Sequence, residues 1–142
     1  MSQFIYSVNK IIYKIATQSL KKLKPMDFRG QIKEVFGVDL PIKNGFGSSF
    51  ETAVVIELDL KYDEKLNIQM EYLKYMGILR NIEWEKISQT LTDHKERTYD
   101  VIMIETTGKS GKVIINTLET HYFDVTEVFT KHLTDWLKNK EL

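Results

Sequence analysis

The sequence contains no cysteine, two prolines and three arginines in 142 residues. Without cysteine there is no disulfide, no thiolate metal ligand and no thiol nucleophile. An excess of either charge is missing too: 20 Lys+Arg stand against 20 Asp+Glu. A net charge of zero removes the whole-protein electrostatic case for binding nucleic acid. Arg29, Arg80 and Arg97 alone carry the planar fork that reads bases and phosphates. No apolar run approaches the roughly 18 residues of a membrane-spanning helix. Met1-Ser2-Gln3-Phe4 lacks the basic start and small-residue cleavage site of a secretory signal. These absences predict a soluble cytoplasmic protein.

What is present suits one packed domain over residues 1–142. The hydrophobic share is 42%, enough for a core, and the length is short for two. Ser2 can cap a helix over residues 3–24, where Ile5, Val8, Ile12 and Ile15 recur at helical spacing and Pro25 ends the run. Asp27 and Gly37 bracket a second helix over 27–36. Residues 37–51 hold the densest Gly/Ser cluster and predict a long connection, the kind of loop that tends to be mobile or functional. Residues 52–60 alternate as a strand, with Val54, Ile56, Leu58 and Leu60 on one face. Asp63 then opens a helix to about residue 76, with Gly77 as its stop. Three strands follow, over 83–91, 97–106 and 112–123. Their expected turns are Thr92–Glu96 and the glycine-rich Gly108-Lys109-Ser110-Gly111. Ile87 and Leu91, then Ile114, Leu118 and Tyr122, are the expected inward residues. Asp124-Val-Thr-Glu127 resembles a capping box and starts a last helix to about Lys138. The predicted fold is α+β in the order ααβαβββα. It has a mostly antiparallel sheet, a three-stranded meander plus one strand, flanked by helices.

Motifs that resemble chemistry fail on context. Thr107-Gly108-Lys109-Ser110 ends like a phosphate-binding loop, but Met103 occupies the required glycine position and a strand follows where a helix is needed. The three histidines lie on different predicted elements: His94 in a solvated turn, His121 beside Glu119 on a polar strand face, and His132 at the rim of the last helix. Even with Asp100 from the neighbouring strand, these do not predict a zinc site. The acidic pairs Glu57/Asp59 and Glu83/Glu85 read as solvated strand faces. No catalytic residue, cofactor or metal is predicted.

Three features favour contact with another macromolecule. The helix over 63–76 is apolar over more than half its circumference, because Ile68, Tyr72 and Tyr75 widen its stripe. That breadth predicts either cover on two sides or a contact surface, including a homodimer interface. Gly45, Gly47, Ser48 and Ser49 could present amides and hydroxyls to an anion or a partner. Residues 1–24 carry Lys10, Lys14, Lys21, Lys22 and Lys24 and no acid. Docking of that helix on its own domain is preferred to a partner arm, and membrane-surface contact is disfavoured because it lacks tryptophan and a second anchor. The expected function is non-catalytic binding of a protein partner, as in a small bacterial inhibitor or immunity-type protein. The alternative is a small enzyme or ligand-binding domain with an unrecognised pocket.

Overall fold

A computed structural model describes residues 27–58 and 68–140. The helix expected over 3–24 lies outside the described residues, as do Leu60 and the Asp63 helix start. The elements run α1 (Phe28–Phe36), β1 (Ile42–Lys43), β2 (Val54–Ile56), α2 (Ile68–Arg80), β3 (Glu83–His94), β4 (Arg97–Ser110), β5 (Val113–Asp124) and α3 (Thr126–Lys140). The five strands form one sheet in the order β1-β2-β5-β4-β3. β1 pairs antiparallel to β2, and β2 pairs parallel to β5 through Val54↔Phe123 and Val55↔Asp124. The fold is α+β with a mostly antiparallel sheet.

The described residues divide into two compact units. The first holds residues 27–40, 68–84 and 106–117. Asp27 caps α1 by accepting the Gly30 N–H at 2.7 Å, and Gly37 ends it at φ 69°. Ile32 is the fully buried residue of this helix. Arg29 grips Asp39 through Nε and Nη2 at 2.7 and 3.3 Å, tying the helix to the segment that follows it. α2 packs aromatic on aromatic: Phe28 meets Tyr72 with centroids 5.4 Å apart, and Phe36 meets Tyr75 at 4.5 Å. Gly77 does not stop α2. It is buried inside the helix, which continues to Arg80 and ends where Asn81 turns to φ 55°. The reason is Trp84: a Cβ on Gly77 would lie 2.8 Å from its Cδ1.

The second unit holds residues 41–58, 85–105 and 118–140. β1 falls inside the segment expected to be one long connection. β2 is shorter than the predicted strand: Val54 and Ile56 are buried, whereas Leu58 lies beyond the strand end and is exposed. β3 extends to His94, so the hairpin turn is Lys95–Glu96 alone, both in the left-handed region at φ 48° and 66°. Two successive positive φ values make it a type I′ turn. The next hairpin turns at Gly111–Lys112, with Gly111 at φ 64°, so Gly108, Lys109 and Ser110 belong to β4.

Burial in β5 is confined to its C-terminal end. His121, Phe123 and Asp124 are buried, while both faces of 113–118 are exposed, including Ile114 and Leu118, which were expected to face inward. Ile87 and Leu91 on β3 are exposed as well. The inward row of β4 is Asp100, Ile102, Ile104 and Thr106.

Candidate functional site

The Gly/Ser segment is a built loop. Gly47 N–H donates to Thr52 O at 2.8 Å, and Gly47 O accepts the Tyr122 N–H of β5 at 2.8 Å. Ser48 Oγ and Ser49 Oγ lie 3.0 and 2.8 Å from Thr52 Oγ1, and the Ser49 amide donates to that same hydroxyl at 3.0 Å. The polar groups expected to meet an anion or a partner are therefore engaged within the loop, chiefly around Thr52. Gly45 has no room for a side chain, because a Cβ would fall 1.8 Å from Thr52 O. The closed loop delivers Phe50 onto the sheet. Phe50 stacks on His94 at 4.1 Å and 12°, and meets Tyr99 and Tyr122 edge-on at 4.9 and 4.8 Å. His94 is thus part of an aromatic cluster and not a solvated turn residue. Its Nε2 is buried without a hydrogen-bond partner.

The other expected site residues belong to the first unit. Tyr72 and Tyr75 are buried under α1, and Ile68 is half-buried. Burial pushes the Tyr72 phenol well above its ordinary range, with Arg80 opposing. These tyrosines supply core packing to the first unit.

Three polar groupings lie on or beside the central strands. His121 Nε2 is 3.2 Å from Glu119 Oε1 on β5. His121 is buried, which corrects the expectation of a solvated strand face. A carboxylate beside an imidazole can fix its tautomer and orientation, the arrangement found in acid–base sites. Gln89 Nε2 donates to Asp100 Oδ2 at 2.5 Å, and burial raises the Asp100 pKa against that hydrogen bond and Lys86. Asp124 accepts from Arg97 Nε at 2.5 Å, from the Thr126 hydroxyl at 2.6 Å and from the Thr126 amide at 3.1 Å. Burial acts to raise the Asp124 pKa, but these hydrogen bonds outweigh it and hold the carboxyl below its usual range. Asp124 thereby caps the start of α3. Among the described residues, no three His, Asp or Glu side chains are grouped so as to hold a metal.

The surface of α3 carries large apolar side chains. No residue of α3 is buried. Its stripe of Val128, Phe129, Leu133, Trp136 and Leu137 is exposed, with Trp136 at 49%. His132 beside that stripe is exposed, not a rim or core histidine. Lys140 Nζ sits 4.2 Å above the Trp136 ring and, with Lys138, makes the last turn basic. A helical period alone does not say whether the home sheet covers such a stripe. Among the described residues, no helix is long and apolar enough to cross a membrane. The chain matches no protein-family model, no curated protein and no solved structure.

Proposed function

We propose that the protein is a non-catalytic binding domain whose contact element is α3, in the manner of a small inhibitor or immunity-type protein. One observation carries this reading: Phe129, Leu133 and Trp136 are exposed at i, i+4 and i+7 of a helix that buries none of its residues. That spacing aligns three large side chains along one line, which is how an amphipathic helix enters a groove. Trp and Phe are anchor residues because they bury much apolar area with few torsions to freeze. The charges specify the partner further. Lys138 and Lys140 close the helix beside Trp136. The fitting partner is a protein with an apolar groove and acidic residues at the end that receives the last turn.

The test is photo-crosslinking from position 133 in the full chain, with capture followed by mass spectrometry. A protein crosslinked at 133 and lost on Trp136→Ala supports the reading, provided that acidic substitution at its groove end weakens binding. Capture that is unchanged by Trp136→Ala and Phe129→Asp refutes it.

A further inference from the structure

We infer that the outer edge of β5, residues 113–118, pairs antiparallel with the same segment of a second copy of this chain, centred on Asn116. The inference is independent of α3 and rests on a different surface.

The segment is Val-Ile-Ile-Asn-Thr-Leu, and every one of its residues is exposed. Ile114 and Leu118 are exposed at 63% and 61%. The run has strong strand formers, no charge, no proline and no glycine, which is the composition that adds strands to itself when an edge is open. Edge strands are ordinarily blunted by an inward lysine, a proline or a bulge. Between Val113 and Leu118 the sequence has none of these charges or prolines. The backbone has no net bulge either. Ser110 and Val113 flank the two-residue turn, and at the other end of the hairpin Val125 N–H donates to Thr98 O, so one register with β4 holds throughout.

That register says which amides are available. Val125 N–H points to β4, whereas Tyr122 N–H points the other way, to Gly47 O. Backbone groups alternate sides along an antiparallel strand. Ile114, Asn116 and Leu118 therefore turn their N–H and C=O groups away from β4, in phase with Tyr122. Among the described residues, the strand on that side is β2, which meets β5 only at Phe123 and Asp124.

A two-fold pairing can be centred on an outward- or an inward-facing residue. Centring on Ile115 or Thr117 would set Ile114 or Leu118 against Asn116, whereas centring on Asn116 sets Ile114 against Leu118. Centred there, Asn116 opposes its own copy and Ile114 opposes Leu118 of the second chain, twice by symmetry. Each outward amide then meets an outward carbonyl, and two exposed apolar side chains, Ile114 and Leu118, lie face to face. No like charges are set opposite one another. The partner's turn at Gly111–Lys112 falls opposite Thr120–His121, just short of Tyr122, where the loop at Gly47 already occupies the edge. The open stretch is therefore as long as this pairing needs. This self-complementarity, in place of an arbitrary guest strand, selects a second copy as the occupant.

The experiment is sedimentation velocity of the full chain over a concentration series. Wild type should show a monomer–dimer equilibrium. Asn116→Asp and Asn116→Lys each place like charges in direct opposition and should weaken the dimer about fivefold. An equimolar mixture of the two variants should restore it. Asn116→Pro removes an outward N–H and the acceptor of the Thr107 hydroxyl, keeps the backbone bonds to β4, and should leave monomer. Far-UV circular dichroism of the Asp and Lys variants checks that the fold is kept. Wild type that stays monomeric overturns the inference, as does a dimer indifferent to all three variants or a mixture that fails to recover. A monomer with slow exchange at the Ile114, Asn116 and Leu118 amides also overturns it, and assigns the edge to a strand of the same chain.

Discussion

Replacing Gly77 by alanine separates helix propensity from packing, because the two act with opposite signs at this position. In an exposed helix interior, alanine in place of glycine stabilises by about 1 kcal/mol. At Gly77 the new Cβ would lie 2.8 Å from Trp84 Cδ1, 3.1 Å from its Nε1 and 3.3 Å from the Ile82 carbonyl oxygen. The indole is rigid and half-buried, and the Ile82 amide is held by its bond to Gly77 O at 2.9 Å. Neither neighbour can yield cheaply. Overpacking of this kind costs about 1–3 kcal/mol. The expected net effect of Gly77→Ala is a loss of about 1 kcal/mol, from a gain of about 1 set against a cost of about 2. With Trp84→Ala in the background, most of the cost disappears and the same substitution should stabilise. Urea unfolding of the four proteins, followed by circular dichroism at constant m-value, closes the cycle. The expected coupling is about 2 kcal/mol, with a change of sign for Gly77→Ala between backgrounds. A Gly77→Ala protein that is more stable than wild type, by the same amount with and without Trp84, would refute the packing argument.

Two further outcomes follow from backbone strain and from titration. Lys95 and Glu96 both hold left-handed φ values in the β3–β4 turn. Such a conformation costs an ordinary residue about 1 kcal/mol or more, and Asn-Gly is the pair that adopts it most readily. Lys95→Asn with Glu96→Gly should raise the melting temperature by about 3 °C in scanning calorimetry; no rise would mean that the turn stores no strain. Asp124 and Asp100 should give opposite pH signatures. The depressed Asp124 stabilises the fold above the unfolded-state value of 3.8, and this contribution is lost as pH falls through its lower folded value. The raised Asp100 does the reverse: its contribution is complete below 3.8 and is lost as pH rises through its folded value. Asp124→Asn should therefore cost stability at pH 7 and progressively less towards pH 2, whereas Asp100→Asn should be neutral or stabilising at pH 7 and lose that advantage at pH 3. Urea midpoints measured across this range decide it, and parallel pH profiles for the two variants would contradict the assignment.

Legibility in the sequence followed how local the deciding interaction is. α1 was readable to within a residue because its determinants, Asp27 and Gly37, lie at its own ends. The three long strands were readable from their β-rich runs and the polar turns between them. The inward face of β5 was not: counting apolar side chains favours Ile114, Leu118 and Tyr122, but the buried row contains His121 and Phe123. Which face is covered depends on segments far along the chain, and Phe123 is fixed by its pairing with Val54. Gly77 was misread for the same reason, since only the approach of Trp84 distinguishes a buried helical glycine from a terminal one. The loop at 44–52 looked mobile because Gly and Ser are common in flexible linkers. The same residues also make compact turns, and here Thr52 and Tyr122 supply the hydrogen bonds that close it.

The burial of β5 at its C-terminal end alone bears on how the chain makes contacts. Inward polar groups on the central strands find partners at home: His121 Nε2 in Glu119, Asp100 in Gln89, and Thr106 in the Thr117 carbonyl, while His121 Nδ1 is buried without a hydrogen-bond partner. A polar group with a partner costs less to bury than one without. Ile114 and Leu118 on β5 remain exposed. α3 leaves apolar residues exposed as well, but the two surfaces differ in kind. A helix has already satisfied its backbone, so α3 can offer only side chains, and recognition there depends on shape and on the basic last turn. A strand edge offers backbone amides first, and these accept any extended segment of matching register. Selectivity at β5 must come from symmetry and from the absence of charge, which suits a copy of itself better than a distinct partner. The two surfaces should therefore fail independently. Trp136→Ala should abolish partner capture and leave the sedimentation profile unchanged, while Asn116→Pro should abolish the dimer and leave crosslinking through position 133 intact. Simultaneous loss of both activities in either variant would show that one surface depends on the other and would defeat this division of labour.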